Sequence, residues 1–356
     1  MLFSNICLLL QEKCKMKKTR IRMHRYIIEY IDMRIELKKR FKQLLRQAAV
    51  LGLLVIGGVI QISAQVEHDE WALAKVSVAC VREKPSHAAE LGTQVVMGTP
   101  VKLHGKNGAW WKIETPEGYQ GYVIDNSLRL MSRDAMAEWR AAKRVVVTSG
   151  DQTYIYSDCG QSVSERISDV VNGSILVGSA SDEIDSALGC VAVLLPDGRR
   201  GCIASNDIED LESLASNTCN MDSVVAFAQR HMGVPYLWGG TSSKSMDCSG
   251  LSKIAYFSQG IILPRNASQQ AKIGQSVSVG EMQPGDLLFF GNRSSGKINH
   301  VGIYIGDGRF IHSSGRVRVS SLDASCPDYE PIDLIVARRF GRVELDKLSL
   351  RTHPWY

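Results

Sequence analysis

The sequence predicts an α+β protein, with a mixed helix-and-strand segment over 220–342 preceded by two small β-barrels over 71–131 and 144–212. Three observations carry this. Residues 71–212 fall into many short apolar runs separated by turns rich in Gly, Pro and Asp, the pattern of small antiparallel barrels. After about residue 220 helical periodicity appears, and Cys248 stands where a helix should begin. Two histidines, His300 and His312, then fall on predicted strands. A helix bearing a nucleophile, packed on an antiparallel sheet bearing its base, is an α+β layout.

The chain opens on a basic stretch. Residues 1–64 hold thirteen Lys and Arg against four Asp and Glu, or +9, so the formal +5 of the whole chain leaves −4 for the remainder. A basic-protein argument for nucleic acid therefore fails. Arg34, Lys38, Lys39, Arg40, Lys42 and Arg46 form a positive region, and Ala48 to Ile60 is a 13-residue apolar run ending near Ile62-Ser63-Ala64. This is the secretory signal pattern, and the run is shorter than the ~20 residues a membrane span needs. A signal from Met33 to Ala64 has ordinary proportions, which makes the first 32 residues an extension or a misplaced start. The expectation is an exported protein, periplasmic or extracellular, with no stable membrane insertion after cleavage, and monomeric. Seven cysteines follow the expected cut, and an exported chain permits disulfides. Spacing alone does not fix their pairing, although a hairpin centred on Pro196-Asp197-Gly198 would bring Cys190 and Cys202 onto facing strands. No spacing forms a zinc pattern, and no metal or cofactor is expected.

In the first barrel the predicted strands are Lys75 to Val81, Val95 to Leu103 with a break at Gly98-Thr99-Pro100, Trp110 to Ile113, and Tyr119 to Ile124. Trp110 and Trp111 read as barrel core and edge. Ser132 to Lys143 reads as a short helical link. The second barrel repeats the style through Val145 to Val147, Tyr154 to Tyr156, Ser174 to Val177, Cys190 to Leu195 and Gly201 to Ile203, a weak internal repeat. In the last segment Asp222 is expected to cap a helix that Gly233 ends, and Cys248 opens a second helix closed by Gly260. Strands are expected at Asp286 to Phe290, His300 to Ile305, Phe310 to Ser313, Val317 to Ser320 and Asp333 to Arg339.

Cys248, His300 and His312 have the parts of a thiol nucleophile, its base and an orienting group. A helix N-terminus lowers a thiol pKa because its N–H groups and dipole favour the anion. An imidazole takes the thiol proton and returns it to the leaving amine, and a third polar group holds the imidazole in the right tautomer. On its strand His300 shares a face with Gly302 and Tyr304, which directs it to a cleft while Val301, Ile303 and Ile305 face the core. His231 reads as a helix C-terminal cap and Asp286 as the anchor of a Pro-Gly turn. Arg316 and Arg318 read as a solvated strand face.

The runs Pro235-Tyr236-Leu237-Trp238-Gly239-Gly240, Asp247-Cys248-Ser249-Gly250, Pro284-Gly285-Asp286-Leu287-Leu288-Phe289-Phe290 and His300-Val301-Gly302-Ile303-Tyr304-Ile305-Gly306 resemble the signatures of the NlpC/p60 cysteine peptidases. Val81-Arg82-Glu83-Lys84-Pro85-Ser86 and Gly118-Tyr119-Gln120-Gly121-Tyr122-Val123 resemble bacterial SH3-like domains, and 144–212 does so more weakly. The resemblance implies a papain-like catalytic domain behind two SH3-like β-barrels, acting on bacterial cell-wall peptides. Two-barrel members of this kind are γ-D-glutamyl-L-diamino acid endopeptidases. Carried over by position, Cys248 is the nucleophile, His300 the general base and acid, His312 its orienter, and Tyr236 a donor beside the oxyanion. Asp247 and Ser249 are implied to help bind the free amine of an N-terminal L-alanine. Glu90 with Tyr119 or Tyr122 from the first barrel would close that end of the cleft. Trp238 and Ser268 would line the groove, and Arg265 would hold a loop or face a substrate carboxylate.

Three readings remain open at this level. The chain cuts small stem peptides with a free amine during wall turnover, or it hydrolyses intact wall, or its barrels bind wall without catalysis. Dependence on a free N-terminal alanine separates the first two, and the intact Cys248, His300 and His312 set argues against the third.

Overall fold

The computed structural model describes residues 70–150, 152–158, 165–178 and 189–356. The targeting segment expected over 1–64, and Cys159, lie outside the described residues. The first barrel comprises β1 (Trp71–Ala74), β2 (Val78–Arg82), β3 (Leu91–Val96), β4 (Pro100–Asn107), β5 (Trp110–Glu114), β6 (Gln120–Ile124) and β7 (Leu128–Met131), in the order β3-β2-β6-β5-β4-β1-β7. A helix, α1 (Arg133–Ala141), follows, its first turn capped by the Ser132 side chain accepting from Ala135 N–H at 3.2 Å.

The second barrel comprises β8 (Arg144–Val147), β9 (Gln152–Tyr156), β10 (Arg166–Val171), β11 (Ile175–Val177), β12 (Cys190–Leu194), β13 (Arg200–Ala204) and β14 (Ile208–Asp210). Its order, β10-β9-β13-β12-β11-β8-β14, is the order of the first barrel strand for strand. Each barrel has its own apolar core, and the two share a backbone close approach. Gly121 and Gly201 hold the same place on equivalent strands, where a Cβ would lie 2.7 Å from Val81 in one barrel and 2.6 Å from Ile155 in the other. The β12–β13 register sets Cys190 opposite Ala204 and Cys202 opposite Ala192, so the hairpin does not bring the two cysteines face to face. Strands β10 and β14 escaped the sequence reading because polar Ser168, Asp169 and Glu209 interrupt their apolar pattern.

The helix α2 (Leu211–Ser216) leads into the catalytic domain. There α3 (Met221–Arg230) is capped by Asn220, whose carbonyl accepts from Asp222 N–H at 2.8 Å and Ser223 N–H at 3.2 Å. Asp222 lies in the first turn and is not the cap, because the shorter-range Asx turn is available two residues earlier. His231 closes this helix as expected, fully buried with Nδ1 2.8 Å from the Phe227 carbonyl. A small hairpin, β15 (Thr241–Ser242) and β16 (Ser245–Met246), precedes α4 (Cys248–Phe257). After the short α5 (Ala267–Gln270), six strands form the sheet: β17 (Gln275–Val277), β18 (Leu287–Asn292), β19 (Lys297–Gly306), β20 (Arg309–Ser314), β21 (Arg316–Ser321) and β22 (Asp333–Arg339), ordered β17-β22-β18-β19-β20-β21.

Both faces of this sheet are covered. Val301, Ile303, Ile311 and Phe289 pack against α3 and α4, while Phe290, Tyr304, Phe310 and Leu288 form a second cluster on the opposite face. Asp286 holds the turn into β18 as expected, accepting from Gln283 N–H at 2.8 Å and from Arg339. After α6 (Arg342–Lys347) the chain returns to the first barrel, where Trp355 meets Trp71 edge-on at 5.0 Å and His353 Nε2 lies 3.0 Å from the Pro116 carbonyl.

Candidate active site

Cys248 is the first residue of α4, and the residue before it builds the helix start. Asp247 Oδ1 accepts from Gly250 N–H at 2.7 Å, and Oδ2 accepts from Gly239 N–H at 2.9 Å. The same carboxylate receives both terminal nitrogens of Arg265, at 3.1 Å for Nη1, and Arg265 Nη1 also donates to Ser249 Oγ at 2.9 Å. Arg265 and Asp247 are both buried, so the pair meets the condition for a favourable internal ion pair, with its donors and acceptors satisfied. Arg265 Nε reaches out of the catalytic domain to Thr93 Oγ1 of β3 at 2.9 Å. Beside it Gln94 and Thr241 exchange three hydrogen bonds of 2.9 to 3.2 Å. The first barrel is thereby fixed against the loop that leads to the nucleophile.

The N-terminus of α4 enters the sheet where two strands part. Pairing between β19 and β20 runs from Gly306↔Arg309 to Ile303↔Ile311 and goes no further towards His300. Ser313 Oγ donates to the Met246 carbonyl at 2.8 Å in this gap, and the Val301 N–H reaches the Cys248 sulfur. His300 Nε2 lies 2.7 Å from His312 Nδ1, and His312 Nε2 lies 3.0 Å from Ser320 Oγ. This leaves Nδ1 of His300 as the nitrogen free to serve the thiol. Gly302 makes the pair possible, since a Cβ there would lie 2.6 Å from the Phe310 ring and 3.4 Å from His312 Cβ.

Burial decides the protonation states. It pushes the Cys248 thiol up to about 11, aided by the Asp247 carboxylate, while the N–H groups of Val301 and Ser249 and the Arg265 charge pull the other way. The lowered thiol pKa expected from the helix N-terminus is thus overridden by desolvation. Desolvation also takes His300 down to about 4 and His312 to about 3. The resting site is a neutral thiol beside neutral imidazoles. His300 can then accept the thiol proton as attack proceeds, the arrangement of an activated nucleophile with an oriented base. Tyr236 is half-buried and electrostatically close to Cys248. Burial and that neighbouring charge push its hydroxyl up to about 12, so it stays protonated and able to donate.

The acidic end of the cleft differs in detail from the sequence expectation. The carboxylate that touches Tyr119 is Glu83, which accepts from the Tyr119 hydroxyl. Glu90 is exposed and one step removed, joined to Glu83 through its carbonyl, which accepts from Glu83 N–H at 3.0 Å. Burial, then Glu83, and more weakly Glu90, raise the Tyr119 pKa, while Arg265 lowers it, which places the aromatic group within the field of the Asp247–Arg265 pair. Tyr122 lies opposite Lys112 and Arg82 on β6 and does not share in this contact. Asp247 and Ser249 are here too, but their oxygens are already engaged by Arg265, Gly239 and Gly250. Both glutamates are exposed, and Glu83 is the one whose carboxylate meets Tyr119 at this end. A signal for it was present, since Glu83 lies in the same SH3-like run that drew attention to Tyr119, but β-strand spacing does not say which of two nearby glutamates turns inward.

Trp238 stands 58% exposed on the glycine-rich bend, and Ser268 is exposed on α5. Arg316 is exposed as expected, and Arg318, its side chain 32% exposed, also has partners. Arg318 donates to Ser320 Oγ at 3.0 Å and pairs with Glu330 at 2.5 Å. Among the described residues, no group of three or more His, Cys, Asp or Glu side chains is placed to hold a metal ion.

Comparison with known proteins agrees with this fold. A profile of the NlpC/P60 family matches residues 233–332, and one of the bacterial SH3 domain matches 77–128. Over 255 residues the chain is 30% identical to a gamma-D-glutamyl-L-lysine dipeptidyl-peptidase of Bacillus cereus, covering 68% of this chain and 74% of that protein. It is 29% identical over 268 residues to dipeptidyl-peptidase 6 of Lysinibacillus sphaericus, covering 72% and 94%. A crystal structure of an NlpC/P60 family protein from Bacillus cereus superposes with a TM-score of 0.65 at 26% identity, covering 76% of this chain and 99% of that one.

Proposed function

The chain belongs to the NlpC/P60 family, as a cell-wall peptidase with SH3-like barrels ahead of its catalytic domain, and we propose that it is a cysteine peptidase cutting the γ-D-glutamyl–diamino acid bond of stem peptides that carry a free N-terminal L-alanine. The observation that carries this reading is the placement of Cys248 at the mouth of α4 beside the His300–His312 pair, with Glu83 and Tyr119 of the first barrel at one end of the cleft.

Cys248 attacks the γ-carbonyl carbon of D-glutamate while His300 takes the thiol proton. The oxyanion is met by the Cys248 backbone N–H and the Tyr236 hydroxyl, and one such donor is worth about 2.7–4 kcal/mol. The intermediate collapses as His300 protonates the departing amine of the diamino acid. Water, deprotonated by His300, then hydrolyses the thioester and releases L-Ala-γ-D-Glu. At the barrel end Glu83 supplies the negative charge and Tyr119 the hydroxyl oxygen that an alanine ammonium needs, with the Asp247–Arg265 pair holding the wall behind them. A longer or acylated N-terminus would collide with the barrel, which is pinned through Thr93 and Gln94.

The name of the Bacillus cereus relative supports the γ-glutamyl bond, and the targeting pattern of residues 1–64 supports action outside the cytoplasmic membrane on peptidoglycan-derived peptides. The test compares L-Ala-γ-D-Glu-meso-diaminopimelate with its N-acetylated form, products being followed by mass spectrometry. Cleavage of the free-amine peptide alone is expected. Equal cleavage of both would make the chain a hydrolase of intact wall, and cleavage of neither would overturn the substrate assignment.

A further inference from the structure

The polar chain behind the nucleophile does not stop at His312. Ser320 Oγ has three polar neighbours: His312 Nε2 at 3.0 Å, Arg318 Nη1 at 3.0 Å and Glu330 Oε2 at 3.4 Å. Ser320 and His312 are fully buried, so water does not enter this accounting. A guanidinium only donates and an ionised carboxylate only accepts, whereas a serine has one proton and two lone pairs. The Ser320 proton therefore goes to Glu330, one lone pair takes Arg318, and the other is left for an N–H on His312 Nε2. His312 Nδ1 must then be bare, and at 2.7 Å it accepts from a proton on His300 Nε2. The remaining nitrogen of His300, Nδ1, is left with its lone pair towards the thiol.

Reversing the Ser320–His312 bond reverses the His312–His300 bond as well. If Ser320 donated to His312 Nε2, His312 would carry its proton on Nδ1 and give it to His300 Nε2. His300 would then present an N–H to the sulfur and could not take the thiol proton. We propose that Glu330 is a positioning residue for the reaction: by claiming the single proton of Ser320 it sets the direction of the His312–His300 hydrogen bond and hence the tautomer of the base. Glu330 is itself held in place. Its N–H donates to the Ser321 carbonyl at 3.1 Å, Ser321 N–H donates to the Asp328 carbonyl at 2.9 Å, and Arg318 grips its carboxylate at 2.5 Å.

This inference rests on the peptidase reading above only for its activity readout. The test uses the full chain and three variants, Glu330→Leu, Glu330→Gln and Ser320→Ala, with imidazole tautomers read by 15N NMR and the Cys248 thiol by its alkylation rate with iodoacetamide. Glutamine keeps a carbonyl that accepts from both Arg318 and Ser320, so it should rescue what leucine loses. The expected parent state is His312 and His300 each protonated on Nε2. In Glu330→Leu and Ser320→Ala the ordered tautomer is lost, alkylation and kcat fall roughly tenfold or more with KM unchanged, and Glu330→Gln stays close to the parent. Should leucine prevent folding, Ser320→Ala carries the same comparison. A parent His312 protonated on Nδ1 would overturn the proposal, as would variants that keep the parent tautomers and alkylation rate, or equal losses in the leucine and glutamine variants with tautomers unchanged. Neither the tautomer nor the alkylation readout needs a substrate. Ordered tautomers in a protein inactive on stem peptides would therefore count against the substrate reading and leave this one standing.

Discussion

Arg265 and Thr93 join the first barrel to the nucleophile: the guanidinium Nε donates to Thr93 Oγ1 at 2.9 Å while its terminal nitrogens hold Asp247, the residue that starts the catalytic helix. The barrel is therefore part of the cleft wall and not a detached tether. Removing the guanidinium strands a buried carboxylate. Arg265→Ala should destabilise the protein by about 3–5 kcal/mol in chemical denaturation, whereas Thr93→Val, which loses one neutral partner, should cost about 1–3 kcal/mol.

The amine end of the cleft should be separable from its chemistry. A Cβ at Gly92 would lie 1.9 Å from the Tyr119 hydroxyl and 2.6 Å from Glu83. Gly92→Ala and Glu83→Gln should therefore raise KM for the free-amine tripeptide with little change in kcat, the mark of lost uniform binding. Steady-state kinetics check this, and an unchanged KM in both variants would remove Glu83 from the amine site.

The pH profile follows from burial. In the proposed mechanism neutral His300 is the base, and desolvation takes its pKa to about 4, so activity should persist well below the usual histidine range and fall only as pH approaches about 4. On the alkaline side the thiol titrates near 11, so in His300→Ala the alkylation rate should climb steadily from neutral pH towards about 11. An acid limb centred near the ordinary histidine value of about 6.5 would show that the site is more open to water than the structure has it.

Gly302 tests the geometry of the histidine pair. Gly302→Ala presses on the Phe310 ring at 2.6 Å, which an overpacked core resolves at a cost of about 1–3 kcal/mol. Because Phe310 packs against His312 at 4.9 Å, the shift should also reduce kcat, and thermal melting together with kinetics would report both effects.

Much of this was legible in the sequence, for reasons that differ by residue. Cys248, His300 and His312 could be picked out as one candidate site because nucleophilic catalysis ties residue types to a helix start and two strands, and those patterns survive in one dimension. The two barrels were legible as strand-rich segments, but their identical strand order was not. It is set by long-range strand pairing, such as β1 with β4 and β7, which neighbouring residues in the sequence do not display. The thiol pKa went the other way from the sequence expectation because burial is a property of the assembled cleft. Glu83, Arg318 and Glu330 were missed for a shared reason. Each is a charged residue on a strand or loop with the spacing of a solvated face, and only its contact with Tyr119, or the Arg318–Glu330 pair beside Ser320, gives it a task.

The central claim is that Cys248 forms a thioester with the γ-glutamyl group. Acid-quenched reactions with L-Ala-γ-D-Glu-meso-diaminopimelate, digested and read by mass spectrometry, test it directly. The account predicts an L-Ala-γ-D-Glu adduct on the peptide containing Cys248, and neither adduct nor turnover in Cys248→Ala. Turnover that survives in Cys248→Ala, or an acyl group found on another residue, would contradict it.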